Sequence, residues 1–174
     1  VASTEHGDGR SLLANLLANS FSFDQKTLLI DADFFNTDGL SSELASATSA
    51  GLAELLRGEV QLEKARITLS DHLDFIPHGK TTISSLLMLS SGHVEPLMRE
   101  LKSHYQRIII DVAAVNQSQD VQLIKRAVDG VIFIVKAGTG SAGQIANALD
   151  KLEENNGVVI GAVLNAVEEK IGRA

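Results

Sequence analysis

The chain contains no cysteine. Disulfides and thiolate metal sites are therefore excluded, and an intracellular setting is the direct expectation. No apolar run approaches the roughly 18 residues of a membrane-spanning helix; the longest, around 131–135, has the length of a buried strand. The basic residues are dispersed and the net charge is −7, so the concentrated Lys/Arg surface of a nucleic-acid binder is missing. There is no internal repeat and no low-complexity linker. What remains is an ordinary globular composition, 44% apolar over 174 residues, enough for one domain with a sizeable core. The sequence opens at Val1, inside what reads as a strand, so residues 1–174 are expected to be a single-domain fragment of a longer chain.

Strand and helix signals alternate. Short Val/Ile/Leu-rich runs at 26–30, 73–76, 107–110, 131–135 and 158–164 are apolar on nearly every residue, as strands covered on both faces should be. Helical patterns lie between them at 10–21, 52–56, 84–89, 95–105, 121–127 and 141–154. In the first, Leu12, Leu13, Leu16, Leu17 and Phe21 are expected to form the core-facing stripe. Pro96 falls in the first turn of its helix, where a missing N–H does no harm. Lys125 and Arg126 read as a solvated helix face. This rhythm predicts an α/β fold, a mostly parallel central sheet with helices on both faces. Ligands in such sheets bind beyond the carboxyl ends of the strands. The Ser/Thr/Ala/Gly-rich segment 36–50 reads as a loop or short helix over that site.

Residues 4–11, Thr-Glu-His-Gly-Asp-Gly-Arg-Ser, fall between the first strand and the first long helix. They approach the phosphate-loop pattern G-x-x-x-x-G-K-[ST], with Gly9 and Ser11 matching, Thr4 in place of the first Gly and Arg10 in place of Lys. Gly7 and Gly9 let the backbone turn its N–H groups inward, and the following helix adds the positive end of its dipole. The cofactor-binding candidates are Gly7, Asp8, Gly9, Arg10, Ser11 and Leu12. Arginine is a longer, planar fork, so its charge reaches phosphate from a different position than lysine's.

Two strands end in acids: Leu28-Leu29-Ile30-Asp31-Ala32-Asp33 and Ile108-Ile109-Ile110-Asp111. Asp31 and Asp33 point the same way on an extended chain. If both strands flank the loop strand, the three carboxylates converge on the Mg²⁺ side of a nucleotide. A single such Asp is more often a turn or helix cap. Arg10, Asp31, Asp33 and Asp111 are thus the catalytic candidates, and Ser11, Asp31 and Asp111 the metal candidates. His6, His72, His78, His93 and His104 are scattered, and turn or surface roles outweigh a metal site for them. Phe34-Phe35 reads as packing or a partner surface.

Taken in order, these motifs resemble the bacterial tyrosine kinases of polysaccharide export, relatives of the deviant Walker ATPases that partition plasmids and place septa. The resemblance runs along nearly the whole chain. It includes Gly51-Leu52-Ala53-Glu54-Leu55-Leu56-Arg57-Gly58, the strand Leu73–Ile76 followed by Pro77-His78-Gly79, Asp129-Gly130-Val131, and Gly161-Ala162-Val163-Leu164-Asn165. It implies a P-loop NTPase-like fold and ATP or ADP with Mg²⁺ as cofactors. It implies a place in the cytoplasm at the inner face of a bacterial plasma membrane. Its partners would be the membrane-embedded portion of the same or another export protein, with homo-oligomerisation. It makes Gly9 and Ser11 the phosphate and Mg²⁺ residues, Asp31 and Asp33 the second Walker-type motif, Asp111 the Walker B acid, and Asn165 a contact to the base.

The departures fall on the same motifs. Arg10 replaces the loop lysine, Phe35 replaces an arginine two residues after the second acid, and Val112-Ala113-Ala114 replaces Thr-Pro-Pro. No tyrosine cluster is present; Tyr105 is the single tyrosine. The expectation is a domain that binds nucleotide weakly and regulates polymer length or export with degraded kinase activity, its Arg10 fork folding onto Asp31 or Asp111. An active autokinase is the alternative. A partition-type ATPase is disfavoured by Glu5, which stands where those proteins carry a signature lysine.

Overall fold

The computed structural model describes residues 1–36, 38–46, 49–80 and 84–167. Among these, seven strands and eight α-helices alternate: β1 (Ala2–Ser3), α1 (Arg10–Phe21), β2 (Thr27–Ala32), α2 (Leu40–Leu44), α3 (Leu52–Leu56), α4 (Leu62–Ala65), β3 (Ile67–Ser70), β4 (Leu73–Ile76), α5 (Ser85–Ser90), α6 (Val94–His104), β5 (Arg107–Val112), α7 (Asp120–Ile124), β6 (Val131–Lys136), α8 (Ala142–Glu153) and β7 (Val159–Asn165). Two ladders form, β3-β4-β2-β5 and β1-β6-β7. Backbone bonds from Val1 N to the Ile110 carbonyl (2.5 Å) and from Val115 N to the Ser3 carbonyl (2.9 Å) join them at β1. All pairings are parallel except β3 with β4.

Alternation along the strands sorts the core into two layers. Leu28, Ile30 and Ala32 of β2 pack with α3, α5, α6, α7 and α8 residues on one face. Leu29 of β2, Phe75 of β4 and Ile109 of β5 pack with Ala14 and Ala18 of α1 on the other. Asp31 and Asp33 share the parity of Leu29, and Asp111 that of Ile109, so the strand pleat itself turns all three acids toward α1. The β2–β5 register places Asp31 directly beside Asp111.

The core-facing stripe of α1 differs from the expected leucine stripe. Its buried residues are Arg10, Ala14 and Ala18, spaced at i, i+4 and i+8, while Leu12 and Leu16 are 60% and 58% exposed. Small alanines let the helix lie close on the sheet, and that stripe carries Arg10 beneath the helix with them. A second difference is β7. It is apolar up to its last residue, Asn165, but mostly exposed, with Ile160 and Leu164 open to solvent; among the described residues it pairs only with β6 and lies at the edge. A third is Lys125, which is buried and donates from Nζ to the Lys151 carbonyl at the end of α8 (2.6 Å) instead of facing solvent. In segment 36–50, α2 forms at Leu40–Leu44, while Thr37, Ala47 and Thr48 lie outside the described residues. No helix among the described residues is long and apolar enough to cross a membrane.

Candidate nucleotide-phosphate site

The loop between β1 and α1 turns on two glycines in the left-handed region, Gly7 at φ +84° and Gly9 at φ +98°. That backbone is strained for any residue with a Cβ. A Cβ at Gly9 would in addition meet Asn165 Nδ2 at 2.3 Å, so the amide would have to shift from its place on the loop. Asn165, at the end of β7, donates to the Asp8 carbonyl (3.0 Å), and the Asp8 carboxylate accepts from Glu5 N (3.0 Å). Asp8 is buried, so its side chain shapes the loop and does not face outward. Among the described residues no side chain caps α1 at its N-terminus. Its first-turn N–H groups are left as donors for an anion, backed by the helix dipole. Leu12 projects into solvent, so it reaches this site through its backbone alone.

Beneath the loop the charged groups form one buried cluster. Arg10 Nη2 donates to Asp33 Oδ2 at 2.7 Å, and Arg10 Nε lies 4.0 Å from Asp111 Oδ1. Ser11 Oγ donates to Asp111 Oδ2 at 2.5 Å. The side chains of Arg10, Asp33 and Asp111 are 4%, 2% and 1% exposed. Among the described residues, Arg10 Nη1 and Asp111 Oδ1 have no hydrogen-bond partner. The expected fold of Arg10 onto the acids occurs, but its hydrogen-bonded partner is Asp33, not Asp31, and Asp111 is only a more distant ion pair.

Asp31 is held by other groups. Its Oδ1 accepts from Asp33 N (3.0 Å), and its Oδ2 accepts from Ser41 N (2.9 Å) and Ser41 Oγ (2.6 Å). Ser41 Oγ in turn accepts from His78 N (2.9 Å). Asp31 therefore ties α2 and the segment after β4 to the end of β2. Sequence reading missed Ser41; the serine directly before Ser42-Glu43 at the start of a short helix was a local signal for it. Burial pushes the Asp111 carboxyl up to about 6, against the pull of Ser11 and Arg10. Burial also raises Asp31, against its bonds from Ser41. Both shifts have the same leading cause: each carboxylate is buried where little water can stabilise its charge.

Among the described residues no group of three or more His, Asp or Glu side chains is arranged to hold a metal. His78 Nδ1 meets the Gly79 carbonyl and His93 Nδ1 the Leu56 carbonyl, both turn-fixing roles. Phe34 packs edge-on to His78, whereas Phe35 is exposed. Tyr105 is buried, its hydroxyl donating to Asp74 (2.8 Å), and burial pushes its pKa up to about 12. An apolar cavity of about 550 Å³ lies toward the N-terminal ends of β5 and β6, lined by Leu17, Phe21, Met98, Tyr105 and Ile132, and contains none of the acids.

A glycine loop opening onto an uncapped helix, beside neighbouring parallel strands tipped with acids, defines a P-loop NTPase-like α/β fold. The chain belongs to the cellulose biosynthesis protein BcsQ family, whose profile matches residues 3–161. It is 28% identical to the tyrosine-protein kinase CpsD of Streptococcus agalactiae serotype III (strain NEM316) over 98% of this chain and 75% of that protein. The crystal structure of the VpsO kinase domain superposes with a TM-score of 0.89 at 27% identity, covering 96% of this chain and 84% of that one. The kinase domain of the Escherichia coli tyrosine kinase ETK gives 0.84 at 26% identity, covering 99% and 69%. The resemblance read from the motifs to bacterial tyrosine kinases therefore stands. More distant chains share the fold alone. One is a cobyrinic acid a,c-diamide synthase from Mycobacterium smegmatis that holds ADP and magnesium, with a TM-score of 0.72 at 17% identity.

Proposed function

We propose that this chain is the nucleotide-binding-type domain of an exopolysaccharide polymerisation or export protein. It holds ATP or ADP weakly on the loop at Gly7, Asp8, Gly9, Arg10, Ser11 and Leu12, and acts on polymer length or export mainly by docking to partner subunits. In this reading residues 1–174 are one domain of a longer chain, working in the cytoplasm beside a membrane-embedded partner, with self-association as part of its action. The family and its kinase relatives support the polysaccharide setting and the phosphate site.

One observation carries the degraded activity. The loop cation is committed to Asp33 and Asp111 and is 4% exposed. Phosphoryl transfer needs a cation that follows the γ-phosphate and an acceptor within reach. Here the cation is turned inward, and Tyr105 is buried against Asp74 at the far end of β5. Of the loop's own parts, the uncapped first-turn N–H groups fit a phosphate. Asn165 fits a positioning role, fastening β7 to the loop.

Calorimetric titration of the chain with ADP tests this reading. Binding with Kd of about 0.1 mM or weaker, corresponding to roughly −5.5 kcal/mol or less, is the expected result. Loss of that binding in Gly9→Ala would assign it to the loop. Affinity in the low micromolar range would favour the active-kinase alternative.

A further inference from the structure

We infer that Arg10 occupies the place of a divalent cation, so that the phosphate site of this chain works without Mg²⁺. This rests on the loop being a phosphate site, as proposed above. Each residue that a metal would use is already engaged inside the protein. Asp31 spends both oxygens on Ser41 and the Asp33 backbone. Asp33 accepts Arg10 Nη2 on one oxygen and Phe35 N on the other. Asp111 takes the Ser11 hydroxyl on one oxygen and faces Arg10 Nε with the other.

The remaining gap is too small and of the wrong sign. Asp111 Oδ1 and Arg10 Nε are 4.0 Å apart. An Mg²⁺ ion at its usual ligand distance of about 2.1 Å from that oxygen would press on a guanidinium N–H. Mg²⁺ also keeps several waters, and acids 1–2% exposed leave no room for them. Arginine accomplishes this because its fork is planar, permanently charged and weakly hydrated, suited to buried pairing with carboxylates. A lysine ammonium is compact and strongly hydrated; it offers one point charge and cannot span Asp33 and Asp111 together. The Arg10→Lys change should therefore free at least one carboxylate for metal.

Mn²⁺ serves as a paramagnetic probe that favours carboxylate and water ligands. Titrated against the wild-type chain without nucleotide and followed by electron paramagnetic resonance, it should show no saturable site up to about 1 mM, a concentration equivalent to roughly −4 kcal/mol. Arg10→Lys should gain one site at least about tenfold tighter, a gain of roughly 1.4 kcal/mol. That site should vanish in Arg10→Lys/Asp111→Asn. Circular dichroism establishes that each variant is folded, and Arg10→Gln replaces Arg10→Lys if the latter is not. A single wild-type Mn²⁺ site that Asp111→Asn removes would overturn the inference. ADP titrated in EDTA and again in Mn²⁺ separates the two claims. Equal binding in both supports the inference. Binding that requires Mn²⁺ overturns it and keeps the nucleotide reading. Absence of ADP binding in both overturns both.

Discussion

Replacing Arg10 by methionine keeps most of the apolar stem and removes the charge. In the folded chain this strips Asp33 of a 2.7 Å charged hydrogen bond and Asp111 of its nearest cation. Neither acid can recover its loss from water, since their side chains are 2% and 1% exposed. Breaking a buried ion pair from one side costs about 3–5 kcal/mol, because the remaining charge stays buried and unpaired. For a protein of this size each kcal/mol lowers the melting temperature by roughly 2–4 °C, so a fall of roughly 6–20 °C is expected at pH 7.5. The deficit should shrink at pH 5, where Asp111, raised by burial to about 6, takes up a proton. Differential scanning calorimetry of both proteins at the two pH values reads this directly. A variant that melts within about 1 °C of wild type at pH 7.5, or whose deficit grows on acidification, would refute the reasoning.

Ser41→Ala removes a hydroxyl that donates to Asp31 and accepts from His78 N; urea unfolding should show a loss of about 1.5–3 kcal/mol, that of a charge-assisted bond. Gly9→Ala forces a Cβ onto φ +98° and against Asn165, which should cost about 1–3 kcal/mol of backbone strain, read by the same method. Asp111 titrates near 6 when folded and near 3.9 when unfolded. Between those values the folded state keeps a proton that the unfolded state has released. Its contribution to stability therefore falls as pH rises from about 4 to about 6 and levels off above. The stability difference between wild type and Asp111→Asn, followed from pH 4.5 to 8, should move against wild type across that window; a flat difference would contradict the assignment.

Much of the fold could be read from local pattern. Five short apolar runs became β2, β4, β5, β6 and β7 within a residue or two; for β2 and β4 the reason is that parallel strands covered on both faces are uniformly apolar, whereas β7 is apolar yet mostly exposed. The hairpin partner β3 was missed although Ile67-Thr68-Leu69-Ser70 alternates and is followed by the short Asp71-His72 connection, a hairpin signature. The face of α1 was misread because leucines outweigh alanines in any hydropathy pattern, whereas close helix–sheet contact selects the smaller side chain. That choice decides where Arg10 points. The acids could be placed at strand ends from sequence, and their common side follows from strand parity. The division of labour among them could not: Asp31 to Ser41, Asp33 to Arg10 and Asp111 to Ser11 depends on contacts between residues 10 to 100 positions apart in sequence.

The central claim, that Arg10 is turned inward and leaves the loop without a working transfer cation, is tested most directly by the rate of phosphotyrosine formation. Wild type and Arg10→Lys would be incubated with labelled ATP, Mg²⁺ and a tyrosine-containing peptide, the chain's own Tyr105 being 5% exposed. Losing such charge stabilisation costs about 3 kcal/mol or more, a factor of roughly 100 to 1,000, so wild type should be slower than Arg10→Lys by about that factor. Robust labelling of the peptide or of Tyr105 by wild type, at a rate equal to that of Arg10→Lys, would contradict the account.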